Sequence, residues 1–207
     1  MRLSVDSGTI VGDLAVPAEA SGIVVFAHGS GSSRHSARNK HVAQALQARG
    51  FGTLLFDLLT AAEEREDERT RALRFDIGLL GDRLVAVTDA LTDEPAARGL
   101  PVGYFGASTG AAAAIVAAEE RPAVRAIVSR GGRPDLAGDA LTRVSVPVLL
   151  IVGSLDREVL ELNREARVRL GGPTELEIVA GATHLFEEPG ALDVVAGLAS
   201  RHFARYL

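Results

Sequence analysis

The chain has 207 residues, 47% of them hydrophobic and 24% charged, with a formal net charge of −5. That is enough apolar mass for one domain with a proper core, and it excludes a disordered chain. With 4% aromatics, no Trp and no Cys, base-stacking nucleic-acid platforms, disulfides, thiolate metal sites and a cysteine nucleophile are excluded as well.

An acidic balance argues against a phosphate-backbone binder, so no nucleic-acid partner is expected. The five histidines show no H-x-x-x-H pairing, and no metal or organic cofactor is implied. Lys40 is the only lysine, which leaves 21 of the 22 basic residues as arginine. The N-terminus carries Asp6 and Asp13 and has no uninterrupted apolar segment, so it does not read as a signal peptide. The longest apolar runs fall far short of the roughly 20 residues that span a bilayer. The expectation is a soluble, cytoplasmic protein without a membrane partner.

In chain order, residues 3–17 alternate around Ser7-Gly8 and predict an antiparallel hairpin. Near-continuous hydrophobic runs follow at 23–29, 53–57, 102–108, 126–132 and 146–154, the pattern of strands covered on both faces. Helices are predicted at 36–49, 109–119, 157–170 (with Val159, Leu162 and Val168 inward) and 190–206. Ile77, Leu80, Leu84, Val87 and Leu91 form a further amphipathic stripe. The mixed-charge segment 61–71 reads as a solvated loop or a first helical turn, or else as a mobile rim over a site. No repeat or linker divides the chain. The expectation is a single α/β domain, residues 1–207, with about eight mostly parallel strands and helices on both faces. Ligands of such sheets bind beyond the carboxyl ends of the strands.

The chemistry-bearing residues sit at those ends. Gly106-Ala107-Ser108-Thr109-Gly110 matches G-x-S-x-G, with a strand before it and a helix after it. Ser108 is the candidate nucleophile; the tight turn leaves no room for side chains two positions to either side. Asp156 follows a later strand as candidate acid, with Asp135, Asp139 and Glu187 as rivals. His184, beyond the run ELEIVAGAT, is the candidate base, so the order Ser, acid, His is complete. A turn needing glycine for its backbone angles, and a structural histidine, are the plain alternatives. The oxyanion hole would use the backbone N–H of Thr109 and of Ser30 in the loop after IVVFA, with His28 bracing that loop. Arg130 and Arg133, and Arg34 with Arg38 after the oxyanion loop, emerge on the same edge. They are candidates for binding an anionic acyl or leaving group, or else they pair with nearby acids such as Asp135.

The motifs FAHGSGSSRHSARN, FDLLT, LRFDIGLLGDRL, YFGASTGAAAA, SRGGRPDLAG, IVGSLD and ATHLFEEPG together resemble the α/β-hydrolase superfamily, and within it the dienelactone hydrolase-like family. The resemblance runs the length of the chain, with one departure: dienelactone hydrolases proper use a cysteine nucleophile, and this position is Ser108. It implies an α/β-hydrolase fold without a separate lid domain. It also implies a serine hydrolase acting on a small-molecule acyl substrate, an ester, thioester or lactone. Acyl transfer or peptide cleavage on the same residues, and a catalytically silent binding protein, are the alternatives. Oligomeric state is not readable from the residues.

Overall fold

A computed structural model describes all 207 residues. The chain runs β1 (Arg2–Val5), β2 (Gly8–Ala15), β3 (Ile23–Ala27), α1 (Ala37–Gln47), β4 (Gly52–Phe56), α2 (Ala61–Thr70), α3 (Ile77–Asp93), β5 (Val102–Ala107), α4 (Thr109–Glu120), β6 (Val124–Arg130), α5 (Ala140–Arg143), β7 (Val148–Gly153), α6 (Arg157–Arg169), β8 (Thr174–Val179) and α7 (Ala191–Tyr206). One eight-stranded sheet has the order β1-β2-β4-β3-β5-β6-β7-β8. The expected hairpin is β1–β2, and β2 also runs antiparallel to β4; every other pairing is parallel.

Period-two geometry sorts the apolar runs into two cores. Ile23, Val25, Ala27 and Tyr104 face a 32-residue cluster that takes in Leu80, Leu84 and Leu91 of α3 and Ala112–Ala114 of α4. Val24, Phe26, Phe105, Ala126 and Val128 face a second cluster of 20 residues, closed by Val42 and Leu46 of α1 and Val195, Ala199 and Phe203 of α7. A sheet covered on both faces has no use for polar alternation, so its central strands read as unbroken hydrophobic runs.

Three expectations change. Segment 61–71 is a full helix, α2, rather than a loop. Thr60 and Glu63 close its N-terminus reciprocally: Glu63 N–H donates to Thr60 Oγ1 at 3.3 Å, and Thr60 N–H to Glu63 Oε2 at 2.8 Å. Its one buried residue, Asp67, accepts from Arg74 N–H and Nε at 2.9 and 2.6 Å. Val168 is 85% exposed, because α6 buries Val159, Leu160, Asn163 and Ala166 and that stripe turns the opposite face to solvent. Finally, β8 stops at Val179. His184 therefore sits in the following loop, five positions beyond the strand.

Two histidines are buried without charge. His28 and His202 are each 7% exposed, and burial holds both below the ordinary histidine pKa. Unfolding exposes them to water, where they protonate at about 6.5. The unfolded chain thus binds more protons below that pH, and their contribution to stability is present above it and lost as pH falls. The melting temperature is expected to decline from pH 7 toward 5.5, and His202→Gln to flatten that decline; calorimetry across the range measures both.

Candidate active site

The strand-to-helix turn between β5 and α4 places Ser108 at φ 50°, ψ −122°, a left-handed backbone uncommon for a residue with a side chain. Tight packing on both sides forces the turn. A Cβ on Gly110 would lie 2.6 Å from His28 O, and one on Gly106 2.7 Å from Ala111 N. Ser108 N–H donates to Arg130 O at 3.3 Å, and Ser108 O accepts from Arg133 N–H at 3.0 Å. The turn is thereby tied to the end of β6.

Asp156, just after β7, and His184, in the loop after β8, meet through Asp156 Oδ2 and His184 Nδ1 at 2.6 Å. The two loops are joined by a backbone bond, Leu155 N–H to Ala182 O at 3.0 Å, and by Gly181 N–H donating to the Ser154 hydroxyl at 2.8 Å. Thr183 Oγ1 donates to Glu188 at 2.6 Å and stiffens the histidine loop. The rival acids are engaged or stand elsewhere. Glu187 accepts from Arg38 at 3.0 Å, Asp135 accepts from Arg133, and Asp139 precedes α5. With Nδ1 held by a carboxylate, the ring's Nε2 is left to exchange a proton with a neighbour. Ser108 and His184 line one cleft of about 220 Å³. No direct hydrogen bond joins them, as is common before substrate tightens such a pair.

The candidate oxyanion donors stand on two turns. Thr109 opens α4, so its N–H has no partner within the helix. In the glycine-serine loop, Ser32 N–H closes a turn onto Gly29 O at 3.2 Å, and Gly31 sits at φ 67°. The N–H groups of Ser30 and Gly31, inside that turn, stay unpaired by it. His28 braces the loop: Leu58 N–H donates to its Nε2 at 3.1 Å, and its Nδ1 lies 3.0 Å from Gly29 O. A neutral ring protonated on Nδ1 serves both contacts.

The arginines separate. Arg133 makes a two-pronged bond to Asp135, through Nε at 2.9 Å and Nη2 at 2.7 Å. Arg34 pairs with Asp57, its own N–H donating to the same carboxylate at 2.9 Å. Arg130 and Arg38 both line the Ser108–His184 cleft. Segment 61–71, for which a rim over the site was the alternative reading, lies beside it: Glu64 and Asp67, with Arg74 just beyond, line a small cavity together with Ser30, Gly31 and Thr109. Segment 61–75 therefore backs the oxyanion loop. The Thr60-x-x-Glu63 pattern was its available signal.

No group of three or more His, Asp or Glu side chains is arranged to hold a metal ion, and no helix is long and apolar enough to cross a membrane.

An eight-stranded, mostly parallel sheet with a G-x-S-x-G turn at a central strand end defines an α/β-hydrolase. A family model described as "Alpha/beta hydrolase domain" matches residues 20–195, and the chain belongs to that superfamily and, within it, to the dienelactone hydrolase-like family. The crystal structure of a dienelactone hydrolase from Anabaena variabilis is similar at 57% identity and a TM-score of 0.97, covering 100% of this chain and 96% of that one. Est1E from Butyrivibrio proteoclasticus shares the fold, with a TM-score of 0.82 at 16% identity over 99% of this chain and 97% of its own. A Mycobacterium tuberculosis protein with the name "Putative phosphoribosyl transferase" is 59% identical over 96% of this chain, which spans only 44% of that relative's length.

Proposed function

We propose that the protein is a serine hydrolase that cleaves a small ester, thioester or lactone through an acyl-Ser108 intermediate. The observation that carries this reading is the Asp156–His184 bond of 2.6 Å beside a serine on a strained strand-to-helix turn. His184 Nε2 takes the proton of Ser108 Oγ as that oxygen attacks the acyl carbon. The N–H groups of Thr109 and Ser30 receive the developing oxyanion. The tetrahedral adduct collapses, the acyl–leaving-group bond breaks, and His184 returns its proton to the leaving group. Water then repeats the sequence on the acyl-serine, and Asp156 steadies the imidazolium in both halves. The chain's likeness to a dienelactone hydrolase structure supports acyl chemistry. The cleft opens to solvent without a lid domain, which suits small substrates.

Treatment with a fluorophosphonate tests this directly. One adduct, mapped by mass spectrometry to Ser108, with parallel loss of p-nitrophenyl ester hydrolysis, is the expected result. Labelling elsewhere, or none, would defeat the assignment. A second reading, phosphoribosyl transfer, comes from the name of the mycobacterial relative. It predicts that the 207-residue chain consumes phosphoribosyl diphosphate whether or not Ser108 is blocked; the hydrolase reading predicts no such consumption.

A further inference from the structure

We propose that Asn163 is a positioning residue that aims and polarises the Thr109 N–H through two peptide groups linked in series; this rests on the hydrolase reading above, in which that N–H receives the oxyanion. Asn163 lies in the middle of α6 and is fully buried. Asparagine is a poor helix former, and burying its amide is unfavourable unless partners are supplied. The partners here are both carbonyls: Nδ2 donates to Val159 O, one turn back, at 2.7 Å and to Gly132 O at 2.9 Å. Two acceptors leave one orientation for the amide, with its nitrogen toward them. Oδ1 is buried without a partner, so the position uses only the donors.

Gly132 O belongs to the peptide group whose N–H is that of Arg133, and Arg133 N–H donates to Ser108 O at 3.0 Å. Ser108 O belongs in turn to the peptide group whose N–H is that of Thr109. Both peptide groups are trans, so in each the C=O and N–H point in opposite directions. The links therefore run one way: Asn163 Nδ2–H to Gly132 O, Arg133 N–H to Ser108 O, and Thr109 N–H to the site. In such a chain every accepted bond makes the far N–H a better donor, by roughly 10–30% per bond. Direction is fixed as well. A Cβ on Gly132 would lie 2.6 Å from Ala111 Cβ and would overlap Ser129 Oγ, and Gly131 N–H donates to Ile151 O at 2.8 Å. The loop has little room to shift. Helix α6 begins directly after Asp156, so one side chain ties the helix behind the candidate acid to the turn that carries the candidate nucleophile. Ser30, the other candidate oxyanion donor, stands on a different loop and has no part in the chain.

Two variants separate this role from a purely structural one. Asn163→Asp keeps the shape, and at most one donor survives, the hydroxyl of the neutral acid. In Asn163→Ser the single hydroxyl bonds back to Val159 O and leaves Gly132 O unpaired. Removing an oxyanion donor outright costs about 10²- to 10³-fold in kcat, so weakening one from behind should cost roughly 10-fold for p-nitrophenyl acetate, with KM nearly unchanged. Affinity for phenylboronic acid, whose tetrahedral serine adduct places an oxygen at the same N–H, should fall by a like factor. In Asn163→Asp the loss should deepen as pH rises, because burial against two carbonyl oxygens disfavours the carboxylate and its ionisation removes the last donor. Without turnover, the Thr109 amide proton resonance should move upfield in both variants while that of Ser30 stays in place. In wild type the link should be readable in reverse: forming the boronate adduct should move an Asn163 side-chain amide proton downfield. No such movement would overturn the proposal without any variant. Lower melting temperatures with kcat, boronate affinity and the Thr109 resonance unchanged would make Asn163 structural and overturn it too, as would equal shifts at Thr109 and Ser30. A selective Thr109 shift, in a protein that neither turns over ester nor binds the boronate, would instead defeat the hydrolase reading and leave the link from Asn163 to Thr109 standing.

Discussion

Ser108→Ala and His184→Ala are each expected to lower kcat/KM by roughly 10⁴- to 10⁶-fold, and the double variant to be hardly slower than either alone. The reason is that the two side chains perform one act. Without the serine, the histidine has no nucleophile to activate; without the histidine, the serine keeps its proton. Residual turnover would then come from the Thr109 and Ser30 N–H groups and from substrate binding. Asp156→Asn should be milder by about one to two orders of magnitude, because the base survives but loses its orientation and the charge that steadies its imidazolium. All three proteins should melt close to wild type, since Ser108 and His184 both face an open cleft. A silent Asp156→Asn, with Glu187→Gln or Asp135→Asn inactive, would mean that the acid had been misassigned.

Gly110→Ala is expected to be more damaging to the fold than any of these. The added methyl would press on the backbone carbonyls of Ala27 and His28, which belong to the end of β3 and the start of the oxyanion loop. Neither is the far end of a flexible side chain that could swing aside. Helix α4 would have to lift from the sheet, opening the core along Ala111–Ala114, all fully buried. A loss of about 4–5 kcal/mol or an insoluble product is expected. Gly106→Ala also meets backbone, that of Gly110 and Ala111 at the start of α4. Gly78→Ala supplies the contrast: its nearest neighbour is Asp76 Oδ1 at 3.5 Å, and near the start of α3 alanine should add about 0.5–1 kcal/mol. Urea midpoints on the three variants separate the two outcomes.

What was legible in the residues follows from what is local. Runs such as IVVFA and VLLIV are hydrophobic on both faces because the sheet is covered on both sides. Ser108, Asp156 and His184 could be ordered along the chain because each stands at or just beyond a strand end. Helix α2 was hidden because it buries only Asp67, so its sequence carries no apolar stripe to detect. The arginines were illegible for another reason. Arg130 ends β6 and Arg133 stands three residues further on, yet one is left bare and the other is matched. Arg130 shares parity with Ala126 and Val128 along β6 and so points toward the α1–α7 face, where Phe186 lies. Arg133 is past the strand end and reaches its own neighbour, Asp135. Strand parity hinted at the first fate; which acids remained free depended on loops brought together from distant parts of the chain.

The sheet order gives the side chains of the proposed mechanism unequal footing. Ser108 hangs from β5, which is paired on both sides at the middle of the sheet, whereas His184 hangs from β8, which is bonded on one side only. Backbone protection against hydrogen exchange should therefore be graded across the centre and rim of one small constellation. An edge ladder such as that of β8 is expected to open more readily than the central ones. When the β8 edge opens, His184 departs while the serine turn stays folded. Under the proposed mechanism, competence would then follow the local stability of this edge rather than the total stability of the domain, and a chain largely native by every bulk signal could still be momentarily switched off.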